Sequence, residues 1–175
     1  PANGCNFISI RNSTITLDKL NTATWGIYAA NHTDTATTSS TMTDSSDVMS
    51  YCKFDNNTID SYNGIRIISS TTAGFFGKGN EIGVIAGNYI LSYGNGTATA
   101  YGMNIEYQDY LKIARNSVNG GGASQTGIIY GIRTGSGTNS NVDIYLNSVT
   151  VTQSGTSLIY AITNSMGSSG TNNTV

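Results

Sequence analysis

Hydrophobic and polar residues alternate along this chain in short runs separated by Gly, Ser, Thr and Asn. No segment repeats apolar positions at i, i+3, i+4 and i+7 for long enough to make an amphipathic helix, and β-branched residues fill the runs, so the pattern predicts strands and turns. Val142–Val149 (VDIYLNSV) shows it most clearly: Val142 and Ile144 share a face, the strand ends at Asn147, and Val149 resumes it. The same cadence recurs as CKFDNNTI (Cys52–Ile59), GVIAGNYI (Gly83–Ile90) and LKIARNSV (Leu111–Val118). A looser copy, ISIRNSTI (Ile8–Ile15), has Ser13 in the Asn place, and the chain closes on Asn173-Thr174-Val175.

The anchors Ser13, Asn57, Asn88, Asn116, Asn147 and Asn173 stand 44, 31, 28, 31 and 26 residues apart. Recurrence at such intervals marks a repeat architecture. A second landmark, an aromatic-small-aliphatic triplet, falls between anchors at Trp25-Gly26-Ile27, Tyr101-Gly102-Met103, Tyr130-Gly131-Ile132 and Tyr160-Ala161-Ile162, with Asn63-Gly64-Ile65 as its early counterpart. Units made only of strands and turns cannot bury their apolar side alone, and winding into a parallel β-helix solves this. Each strand then pairs with its equivalent one coil on, about 4.8 Å away. Three positions before the anchor this aligns Ile10, Phe54, Ile85, Ile113 and Ile144, and two after it Ile15, Ile59, Ile90, Val118, Val149 and Val175. Both are expected core columns. The anchors Asn57, Asn88, Asn116, Asn147 and Asn173 are expected to stack as an amide ladder, at a bend whose left-handed backbone Asn tolerates.

An inward Asn at a tight bend, stacked coil upon coil, resembles the right-handed parallel β-helix of the pectin-lyase-like families. Repeats worded NNTI, YLNSV and YGIR among Ser/Thr/Gly spacers are similar to long secreted β-helix proteins of Bacteroidota exported by the type IX system. The resemblance implies an all-β, right-handed parallel β-helix solenoid of about five to six coils across residues 1–175, at the cell surface or outside the cell.

Composition narrows the function. Charged residues are only 10% and the net charge is −2, against the concentrated basic face that nucleic acid requires. No apolar run is long enough to span a membrane. The opening PANGCN lacks an initiator Met and the end NNTV stops in mid-motif, so the sequence reads as an excerpt whose partners at both ends are further coils or neighbouring copies. Cys5 and Cys52 occupy matching contexts. They are either two small buried hydrophobes in one column or a disulfide, and no metal site accompanies them.

Residues 31–50 form a polar insertion, either disordered or a protruding contact loop. It holds His32, the lone histidine, and Asp34-Thr35-Ala36, which resembles an O-glycosylation signal of Bacteroidota. Gly77-Lys78-Gly79 lacks the spacing of a phosphate loop. Phe75 and Phe76 are expected to fold back on the core or to form an exposed pair. Outward columns are expected at Lys53, Val84, Lys112 and Asp143, with Lys112 and Asp143 paired across coils, and at Asp55, Ala86, Ala114 and Tyr145. None carries pectinase-type signatures. The triplet aromatics are expected inward as a core stack, with carbohydrate platforms as the alternative. Opposite them Gly26, Gly64, Gly102, Gly131 and Ala161 would floor a groove walled by Tyr28, Arg66, Asn104, Arg133 and Thr163. The candidate ligand-binding residues are Tyr28, Arg66, Asn104 and Arg133, with no catalytic residue and no cofactor. The expected function is a non-enzymatic structural and adhesive solenoid segment that meets glycans or other surfaces. The alternative is a polysaccharide lyase or glycoside hydrolase, or its substrate-binding remnant.

Overall fold

Residues 6–31, 42, 44–72, 74–137 and 140–166, with the backbone of 173–174, are described by a computed structural model of the chain. The strands fall into three parallel sheets. The first holds β1 (Ser9–Arg11), β4 (Lys53–Asp55), β8 (Glu81–Ile82), β12 (Leu111–Ala114), β15 (Val142–Tyr145) and β18 (Asn173–Thr174). The second holds β2 (Thr14–Thr16), β5 (Thr58–Asp60), β9 (Tyr89–Tyr93), β13 (Ser117–Gly122) and β16 (Ser148–Gln153). The third holds β3 (Trp25–Ala30), β6 (Asn63–Ile68), β10 (Ala100–Glu106), β14 (Ile129–Gly135) and β17 (Ile159–Asn164). β7 (Gly77–Lys78) and β11 (Gln108–Asp109) pair separately, and a 3-10 turn covers Ser45–Asp47. Each coil visits the sheets in turn and every pairing is parallel, so the chain winds as a parallel β-helix.

The interior is built of columns. Ile15, Ile59, Ile90, Val118 and Val149 stack as expected along the second sheet, and Ile27, Ile65, Met103, Ile132 and Ile162 along the third. In the first sheet the register is Ile10, Phe54, Ile82, Ile113 and Ile144. Ile82, not Ile85, thus fills the third coil's core place, and Ile85 is 62% exposed. The alternation of GVIAGNYI does not belong to a strand. Its residues 84–86 bulge outward between Gly83 and Gly87, and Asp55 Oδ1, buried beneath, accepts the Ile85 amide at 3.1 Å. Arg11 Nε lies 3.4 Å from the other Asp55 oxygen. The same correction puts Glu81, not Val84, between Lys53 and Lys112. Charges then alternate along this outward file, with Lys53 Nζ 3.0 Å from Glu81, while Lys112 and Asp143 are register partners with no ion pair between them.

The amide ladder runs between the first and second sheets. Asn88 Oδ1 accepts from the Asn57 backbone amide at 3.1 Å and its side-chain amide at 2.9 Å; Asn116 does the same for Asn88, and Asn147 for Asn116. Ser13 ends the file, donating its amide to Asn57 Oδ1. Asn173 does not join it: its partner is Val142, five residues ahead of the ladder position, so it lies within a first-sheet strand. Nor do the ladder residues adopt the left-handed conformation. Their predecessors do, at Asn12, Asn56, Arg115 and Leu146, with φ between 53° and 59°. The side chain that follows such a residue can close the bend by donating back to the carbonyl two residues earlier. Asn116 so binds Ala114 O at 2.9 Å, Asn147 binds Tyr145 O at 3.1 Å and Ser13 binds Arg11 O at 3.1 Å. Gln108 repeats the arrangement after left-handed Tyr107, and the Cys52 thiol after Tyr51.

Cys5, His32, Asp34, Thr35, Ala36 and Val175 lie outside the described residues. Cys52 is buried. The end of the expected polar loop belongs to the core, with Val48, Met49 and Ser50 all buried. Phe75 and Phe76 are half-buried, and Phe76 meets the Tyr107 ring at 6.0 Å.

Candidate functional site

The third sheet turns a corner within its triplets. A Cβ on Gly26 would lie 2.2 Å from Ile59 Cγ2, one on Gly102 2.4 Å from Val118 Cγ1, and one on Gly131 2.3 Å from Val149 Cγ1. The glycine column therefore faces inward, against the second sheet's Ile/Val column, and does not floor a groove. Two consecutive positions, glycine and the following aliphatic, both point into the core. This displaces the preceding aromatic to the outside. Trp25, Tyr101, Tyr130 and Tyr160 are accordingly half-exposed, which corrects their expected place in the core.

The aromatics form a continuous stack. Tyr101 and Tyr130 rings lie 5.0 Å apart and within 5° of parallel, and Tyr130 and Tyr160 lie 4.8 Å apart and within 8°. Trp25 stacks on Tyr101 at 5.8 Å, leaning past Asn63, which holds the column's place in the second coil. Asn63 accepts the Tyr101 amide at 3.1 Å and donates to the carbonyls of Thr22 and Thr24. Since the ring faces cover each other, the stack offers edges and hydroxyls outward. Burial raises the Tyr101 hydroxyl above the usual tyrosine value, with Arg133 and Arg66 pulling down and Tyr130 and Glu106 pushing up. At neutral pH it is a hydrogen-bond donor.

Beside the stack, Tyr28, Arg66, Asn104, Arg133 and Thr163 stand in one file, as the spacing predicts. The Arg66 guanidinium sits 5.3 Å from the Trp25 ring centre and 5.6 Å from that of Tyr28, and Arg133 sits 5.9 Å from that of Tyr130, within cation–π range. Asn104 is buried and accepts from Arg133 Nη1 at 2.6 Å, so it orients the guanidinium from beneath. Glu106 joins the two arginines, 3.0 Å from Arg133 Nη1 and 3.8 Å from Arg66 Nη2. Its role was readable from alternation, since it stands two residues after Asn104 on the same strand face. Two guanidinium groups against one carboxylate leave this face with a net positive charge.

Glycoside hydrolysis needs two carboxyl groups astride the bond, and Glu106, the carboxylate of this face, is held in ion pairs. No cluster of three or more His, Cys, Asp or Glu suited to a metal occurs among the described residues, and no described helix is long and apolar enough to cross a membrane. A cavity of about 220 Å³ among Ile10, Ala29, Ala30, Met49 and Phe54 is a packing gap, because Ala29 and Ala30 stand where the next coil has Ile67 and Ile68. Family models, curated proteins and solved structures yield no match to this chain.

Proposed function

We propose that this chain is a non-enzymatic, structural and adhesive β-solenoid segment of a large secreted or cell-surface protein, and that the outer face of its third sheet meets glycans. The face supports this reading: tyrosine edges stack over three successive coils beside Arg66 and Arg133, both of which Glu106 pairs. Aromatic edges with fixed guanidinium donors suit the hydroxyls and carboxylates of an acidic polysaccharide. The low charge and the Ser/Thr/Asn/Gly surface agree with an extracellular place, and the type IX resemblance names a route there. Further coils or neighbouring copies would extend the sheets along β1–β3 and β16–β17, whose strands stand at sheet ends among the described residues.

A glycan array probed with the whole chain, followed by incubation with soluble acidic polysaccharides, tests the reading. Binding to acidic glycans that weakens tenfold or more in Arg133→Ala, with no new reducing ends or unsaturated products, supports it. Product formation, or an array without signal, rejects it.

A further inference from the structure

The ring column of the third sheet stays continuous across a place that has no ring. Tyr101, Tyr130 and Tyr160 are register partners on successive coils, and their rings keep close to the strand spacing of about 4.8 Å, at 5.0 and 4.8 Å. The coil before Tyr101 has Asn63 in this column, and Trp25 stands one coil further back. Two strand spacings would part Trp25 from Tyr101 by about 9.6 Å. The indole instead lies 5.8 Å from the Tyr101 ring and 24° from parallel to it, so the Trp25 side chain crosses the gap. Four oxidisable rings thus form one line of stacked contacts over five coils.

The charges beside the line give it a direction. A guanidinium is charged at every ordinary pH, and positive charge next to a ring opposes removal of an electron from it. Arg66 sits over Trp25 and Arg133 over Tyr130, whereas Thr163 takes the arginine's place beside Tyr160. Phenols also give up an electron more easily than indole when their proton can leave to water, and the hydroxyl edges of the half-exposed tyrosines face solvent. Both effects run from Trp25 toward Tyr160. We propose that Trp25, Tyr101, Tyr130 and Tyr160 form a relay that carries an oxidising equivalent from a one-electron oxidant at the indole, such as an oxygen-derived radical, to Tyr160. The oxidant gains one electron, and Trp25 loses that electron and its indole proton. Each transfer down the line then returns an electron to the ring before, which regains its proton from water. At the end Trp25 is restored, Tyr160 is a phenoxyl radical and one proton has passed to water; a small reductant such as ascorbate can return the hydrogen atom. The relay rests on stacking and charge, and it does not depend on glycan binding.

Pulse radiolysis of the whole chain with azide radicals tests the relay, because azide radicals oxidise indole in preference to phenol and Trp25 is the chain's single tryptophan. Indolyl absorbance is expected to decay as tyrosyl absorbance grows, at a first-order rate independent of protein concentration. Tyr101→Phe keeps a ring in the stack but removes its oxidisable hydroxyl, and should slow the transfer tenfold or more. Tyr89→Phe, which alters a 52% exposed tyrosine outside the line, should leave the rate unchanged. A spin trap added after the pulse, followed by tryptic mapping, should find its main adduct on Tyr160, and in Tyr160→Phe on Tyr130, the one tyrosine of the peptide Asn116–Arg133. A transfer rate that scales with protein concentration, a rate unaltered in Tyr101→Phe, or a main adduct on a tyrosine outside the stack would overturn the proposal.

Discussion

Asn88→Ala tests the amide ladder at a fully enclosed rung. Asn88 has no exposed surface, and its Oδ1 is the acceptor for the backbone amide of Asn57, itself fully buried. Truncation leaves that N–H without a partner, which costs about 1–3 kcal/mol. The Asn57 side chain keeps its bond to Ile10 O at 2.9 Å, and Phe54 O keeps the Gly83 amide at 2.8 Å, so neither is orphaned. Two donated bonds from Asn88 Nδ2, to Phe54 O and Asn116 Oδ1 at 2.8 Å each, vanish at about 0.5–1.5 kcal/mol apiece. The sum, allowing for relaxation, is about 3 kcal/mol. Asn147→Ala is the control: Asn147 is half-buried, water can replace its oxygen, and the cost falls to about 1 kcal/mol. Urea unfolding followed by far-UV circular dichroism and by tyrosine fluorescence measures both variants, the two probes together showing whether the solenoid still unfolds as one unit. Equal losses for the two, or a loss below about 1 kcal/mol for Asn88→Ala, would refute the claim that enclosure gives the ladder its worth.

Three further outcomes follow from the packing. Ile82→Ala should cost about 2–5 kcal/mol, the range for a buried aliphatic, while Ile85→Ala should change stability by under about 0.5 kcal/mol; reversed values in the same urea series would restore the register read from GVIAGNYI. Gly102→Ala should cost about 1–3 kcal/mol or more by overpacking, since its methyl would meet Val118 Cγ1 at 2.4 Å and Gly131 O at 2.6 Å; an unchanged urea midpoint would show that the column faces outward after all. Burial pushes the Tyr93 hydroxyl well above the ordinary tyrosine value. An unfolded tyrosine near pH 10 ionises first, so this stabilisation is complete below about pH 10 and declines as pH rises further, by up to about 1.4 kcal/mol per pH unit. Tyr93→Phe should therefore flatten the alkaline limb of the stability profile, and an unaltered limb would exclude Tyr93 as its source.

The core columns and the ladder were legible because both obey the repeat: an inward residue must be matched one coil on, and Asn57, Asn88, Asn116 and Asn147 are. The third coil misled because Val84 and Ile85 continue an apolar rhythm that a bulge, flanked by Gly83 and Gly87, has removed from the sheet. Rhythm cannot tell an outward apolar knuckle from an inward strand, although Glu81-Ile82 offered an equally good match to Lys53-Phe54 and Lys112-Ile113. The third sheet's facing was missed for a related reason. Strict alternation makes Trp25 and Ile27 share a side, but a corner places two consecutive residues inward, and the signal was the run of glycines opposite a β-branched column. The file Tyr28, Arg66, Asn104 and Arg133 survived because it lies past the corner, where alternation resumes.

Sequence reading set the left-handed bend on the anchor residue itself, one position late. Arg115, Leu146 and Tyr107 share no chemistry; what their bends share is the residue that follows. Asn116, Asn147 and Gln108 each reach back to the carbonyl two residues earlier. The inward amide thus holds the bend, and the outward side chain is left unconstrained in type. Where that amide is present, any residue can occupy the corner, so its identity carries little information.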